Sequence, residues 1–89
     1  MNPNPMIESH IGLWWTDRAK AKLQAVCQPD EFHAIERICQ FAISHDIWNQ
    51  ECYSTACMQL PKFIKAEYPA LTEQAVTKIA KMAAFQHRE

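Results

Sequence analysis

Gly12 is the only glycine among 89 residues, and this scarcity limits the possible folds more than any motif in the chain. Hairpins and tight turns draw on glycine for backbone conformations with positive φ, so a fold of many strands is disfavoured. Glycine-rich phosphate loops are excluded as well, and with them P-loop and dinucleotide-binding chemistry. A hydrophobic content of 48% is enough for one core, and 89 residues make one domain near the lower end of what folds without staples.

The periodicity is helical from Ser9 onward. Residues 1–8 read as a flexible, extended lead-in, because the run Asn2-Pro3-Asn4-Pro5 begins a helix badly; residues 9–89 read as a single helical domain. Trp15, Ala19, Leu23 and Val26 fall on one side of a helix that starts at Ser9 or at a Thr16 cap and stops before Pro29. Pro29 opens the next helix, with Gln28 as cap and Asp30 and Glu31 facing the positive end of the dipole. Phe32, Ile35, Ile38, Cys39, Ala42 and Ile43 give helix 29–45 a stripe wide enough to predict the central place in a bundle.

Asp46 or Asn49 is the expected cap of a third helix, in which Cys52, Tyr53, Ala56, Cys57, Leu60, Phe63 and Ile64 stay in phase. Pro61 inside that run predicts either a kink or a second helix restarting there. Thr72 caps the last helix, whose buried stripe is Ala75, Val76, Ile79, Met82 and Ala83. The expected fold is all-α: a single small bundle of four helices, or five if Pro61 splits one.

No apolar run approaches the ~20 residues that cross a bilayer, and the first ten residues lack the basic and apolar regions of a secretion signal. The expectation is a cytoplasmic protein without a membrane partner. Its four cysteines are expected reduced, although their even number leaves a pair arithmetically open. Nine Lys and Arg against ten Asp and Glu leave a formal charge of −1, with no global pull on nucleic acid. The balance is uneven: residues 1–60 carry the acidic excess and residues 61–89 the basic one.

Four Cys and four His invite a metal reading, but Cys27, His33, Cys39 and His45 recur every six residues and so point apart around a helix. Zinc sites want close pairs, and Cys52 with Cys57 is the nearest approach to one. Neither a metal nor another cofactor is expected. Ser44-His45-Asp46 spells a triad in order, yet triads are assembled in space and adjacent residues project in different directions. The bland reading is a helix end, with His45 favourable at the negative dipole terminus. No enzymatic constellation is expected.

Two features stand out. On the last helix Gln74, Lys78, Lys81, Phe85 and Arg88 share a sector of about 80° at the 3.6-residue period, so an aromatic projects among cations. Lys62 and Lys65 extend that face if the last two helices pack side by side. Trp14 and Trp15 are adjacent and cannot face one core; Trp15 is in phase with the buried stripe, so Trp14 is either a lid over a bundle end or a contact for a partner. The candidate partner-binding residues are therefore Trp14, Lys62, Lys65, Lys78, Lys81, Phe85 and Arg88.

The functional expectation follows by elimination. It is a small non-enzymatic interaction module, an inhibitor or adaptor occupying a surface of a larger protein or complex. Small phage-encoded inhibitors of host defence and toxin partners belong to that class by analogy alone. The alternative is a helix-turn-helix regulator binding nucleic acid through residues 49–88, and a homo-oligomer with Trp14 and Phe85 as self-contacts is a further expectation. Whether the acidic or the basic face carries the function stays open at this level.

Overall fold

Six helical segments follow one another along the chain: α1 (Asn4–His10), α2 (Asp17–Val26), α3 (Pro29–Ile43), the single turn α4 (Ile47–Gln50), α5 (Tyr53–Glu67) and α6 (Glu73–His87). This computed structural model describes residues 2–88, and no strand occurs among them. The fold is a small all-α bundle. Thr16 caps α2 by accepting from the Ala19 N–H at 3.2 Å, and Thr72 caps α6 by accepting from the Ala75 N–H at 3.1 Å. Gln28 stands at the N-cap of α3, followed by Pro29, Asp30 and Glu31 in the first turn.

The core draws on every segment. Ile7, Leu23, Ile35, Cys39, Ile47, Leu60, Ile64, Ile79 and Met82 are all buried in one cluster. The radius of gyration, 12.3 Å, matches the ~12 Å expected of a packed chain this long.

The expected lead-in over residues 1–8 is corrected. Residues 4–8 belong to α1, which packs along α6 and buries Ile7 completely. Pro5 does not prevent this, because it occupies the first turn, where its missing N–H has no intrahelical partner to lose. Asn4 then ties α1 to the α5–α6 connection. Its amide donates to the Ala70 carbonyl at 3.1 Å, and its Oδ1 accepts from the Thr72 N–H at 2.9 Å. Glu8 takes a hydrogen bond from the Thr72 hydroxyl. Met1, also in the expected lead-in, lies outside the described residues.

The central helix is α6 rather than 29–45. It packs against α1, α3 and α5 and buries Ala75, Val76, Ile79, Ala80, Met82 and Ala83. Three of these are alanines, which score weakly as hydrophobic but let neighbouring helices approach closely. Helix α3 ends at Ile43, and its last carbonyls take unusual partners. The Trp48 indole N–H donates to Ala42 at 2.9 Å, and His87 Nε2 meets the Ile43 carbonyl at 2.6 Å. Trp48 and His87 stack at 4.4 Å between centroids.

Four local expectations change. His45 does not sit on the dipole of α3; its Nδ1 accepts from the Ile47 N–H at 3.0 Å and so starts α4. Neither Asp46 nor Asn49 caps α5, whose N-cap is Cys52. Helix α5 runs unbroken through Pro61, so no second helix restarts there. Val26 is 50% exposed although in phase with Leu23, because α2 lies on α3 along a narrow strip and Leu23 is its one buried residue.

Candidate functional site

Residues Ile11–Thr16 cross between α1 and α2 as a non-helical segment, and its middle stands out from the surface. Leu13 is 47% and Trp14 64% exposed. The segment is held from below: Gln86 Nε2 on α6 donates to the Leu13 carbonyl at 2.7 Å and to the Met82 carbonyl at 3.1 Å. The Trp14 ring meets Phe85 edge to face, 4.7 Å between centroids at 77°. Phe85, half-buried, is thus covered by Trp14, and the Arg88 guanidinium also lies over its ring at 5.5 Å. The two residues that stood out in the sequence are one feature, an indole laid over the aromatic of the basic helix face.

Trp15 behaves differently. It packs against the core with its indole N–H buried and without an acceptor among the described residues, while the Lys20 ammonium lies 5.6 Å from its ring. That adjacent pair divides, one ring inward and one outward, although both residues lie in the non-helical segment before α2.

Open clefts flank the Gly12–Leu13 ridge. On the α6 side a cleft of about 400 Å³ is lined by Ile11, Gly12, Leu13, Gln74, Thr77, Lys78 and Lys81. On the α2 side a cleft of about 650 Å³ is lined by Gly12, Leu13, Trp14, His10, Arg18 and Lys22, among others. Beyond Thr77 a third cleft, between α5 and α6, holds Lys62, Lys65 and Glu73. Because adjacent clefts share lining residues, the cations form one belt with the Leu13–Trp14 ridge inside it. Glu73 is the single carboxylate lining it.

None of these cations is paired with a carboxylate among the described residues. Among the described residues no lysine or arginine comes within 4.0 Å of a carboxylate; the one basic side chain that does is His33, 3.9 Å from Glu36. Lys65 alone is engaged, donating to the Leu71 carbonyl in the α5–α6 connection. Arg18 and Lys22 were absent from the sequence-level candidates. Their signal was present: they stand four apart, on one face of α2.

Other chemistry is sparse. No three His, Cys, Asp or Glu residues come together as a metal cluster among the described residues. All four cysteines are free thiols. Cys52 is exposed at the N-cap of α5, and hydrogen bonds with Thr55 lower its thiol to about 7, opposed by the Glu51 carboxylate. Cys39 is the opposite case, its thiol raised by burial. No described helix is long and apolar enough to cross a membrane.

No family model matches the chain, and no curated protein or solved structure matches it either.

Proposed function

We propose that this chain is a non-enzymatic interaction module that acts by covering a surface of a larger protein, with the Leu13–Trp14 ridge as its anchor. The observation carrying this reading is Trp14. An indole 64% exposed, braced from beneath by Phe85 and Gln86, offers a large rigid contact at small entropic cost. Surrounding it with polar and charged side chains reproduces the anatomy of an interface, an apolar centre with a hydrated rim.

The helix-turn-helix alternative over residues 49–88 has less in its favour. A recognition helix reads bases with its N-terminal residues, and the N-terminal turn of α6 presents Glu73, with Glu8 bonded to Thr72 beside it. Its length is also engaged in the core on three sides.

Affinity capture from native lysate treated with nuclease tests the reading, with identification by mass spectrometry. Wild-type protein and Met58→Ala, an exposed position on α5 that lines none of the three clefts, should retain one stoichiometric protein that Trp14→Ala loses. Capture that disappears with nuclease, or that is indifferent to Trp14→Ala, overturns it.

A further inference from the structure

The belt around the ridge has a property that the net charge of −1 conceals. Lys62, Lys78, Lys81, Arg18 and Lys22 line three adjoining clefts, Arg88 extends the line over Phe85, and no carboxylate pairs with any of them among the described residues. Asp30, Glu31 and Glu36, on α3, line none of these clefts, whereas Glu73 lines the third and Asp17 precedes Arg18 in sequence. A protein with balanced charge has thus gathered its cations around its most exposed indole.

We infer that the partner segment seated on this surface is an acidic polypeptide stretch carrying apolar side chains. The inference rests on the interaction-module reading above. Its apolar side chains meet Leu13 and Trp14, and its carboxylates reach Lys78 and Lys81 on one flank and Arg18 and Lys22 on the other. Unneutralised lysines raise the association rate of an oppositely charged segment and penalise a basic one. The spacing suits an extended chain: Lys78 to Arg88 is about 15 Å along the helix, the reach of roughly five extended residues.

A nucleic acid shares the charge but not the rest. A phosphate backbone makes no use of an exposed leucine at the middle of the surface. Phe85, the second ring, is not free for base stacking, being covered by Trp14 and Arg88.

The test uses the full chain and three fluorescein-labelled probes, read by anisotropy. The first is a peptide of about 12 residues alternating Asp or Glu with Leu or Phe, long enough to span the 36 Å extent of the molecule. The second replaces every acid with Lys. The third is an oligothymidylate of about 15 nucleotides. The acidic peptide should bind at least about tenfold tighter than either other probe and weaken severalfold from about 50 to about 300 mM salt. The double variant Lys78→Gln, Lys81→Gln should cost it about tenfold, and Trp14→Ala at least as much. Equal binding of the basic peptide, tighter binding of the oligonucleotide, or no binding of the acidic peptide overturns the inference. The two readings fail separately. A captured protein that depends on Trp14 but ignores Lys78→Gln, Lys81→Gln leaves the interaction module standing and removes the acidic segment.

Discussion

Asn4→Ala is the substitution that most directly measures how the amino terminus is held. Asn4 is 8% exposed, and its side chain spans to residues 66 and 68 positions away in sequence. Alanine deletes the bond to the Ala70 carbonyl and the bond from the Thr72 N–H, each worth about 1 kcal/mol net. Ala70 and Thr72 are exposed, so water recovers part of what they lose, and the expected total is about 2 kcal/mol rather than the larger cost of orphaned buried groups. For a domain of this size that lowers Tm by roughly 8–16 °C. Urea titration followed by circular dichroism should show the midpoint falling by about 2 M at an unchanged slope near 1 kcal/mol/M. Asn2→Ala is the control. Asn2 is exposed and bonds only to Asn4, so its loss should stay near ~0.5 kcal/mol. If Asn4→Ala also stays below about 0.5 kcal/mol, the bonds to Ala70 and Thr72 are not made in solution and α1 does not dock as described.

Three other perturbations test separate parts of the fold. Cys52 should be the first thiol alkylated by iodoacetamide, with a rate rising through about pH 7, and Thr55→Val should move that midpoint toward the ordinary thiol value; peptide mass spectrometry against pH reads both. Cys39 should stay unlabelled until the chain is unfolded. Pro61→Ala restores the N–H that the Cys57 carbonyl lacks in α5 and should stabilise by about 1–3 kcal/mol in urea titration, whereas a loss would show that the ring itself packs productively. Ala83→Leu, at a fully buried position on α6, should destabilise by about 1–3 kcal/mol or more, because the helices around it leave no room for the added carbons.

The helical class, the Thr16, Gln28 and Thr72 starts, and the stripes of α3 and α6 were legible in the sequence, because caps and 3.6-residue periodicity act over a few neighbouring residues; the stripe of α5 was legible only at Ala56, Leu60 and Ile64, since Cys52, Tyr53 and Phe63 stay exposed. The outward sector of α6 was legible for the same reason; the division between Trp14 and Trp15 was expected from helical phase but arises in a non-helical segment, where Phe85 and the core take one ring each. Tertiary contacts decided the rest. Asn4 reads as part of a helix-breaking run until Ala70 and Thr72, far along the chain, supply its partners. Helix α6 takes the centre because small alanines admit three neighbours, a property of packing distance that no hydrophobicity pattern contains. The candidate surface divides in the same way. Its residues could be named from residue type and phase, but the seating of Trp14 on Phe85, and the joining of Arg18 and Lys22 to Lys78 and Lys81, depend on where the Ile11–Thr16 segment crosses α6. That crossing is set by hydrogen bonds and packing between residues some seventy positions apart, such as Gln86 and Leu13, separated by 73. Local sequence determines which way a side chain points from its own helix; only the folded chain determines what stands opposite it.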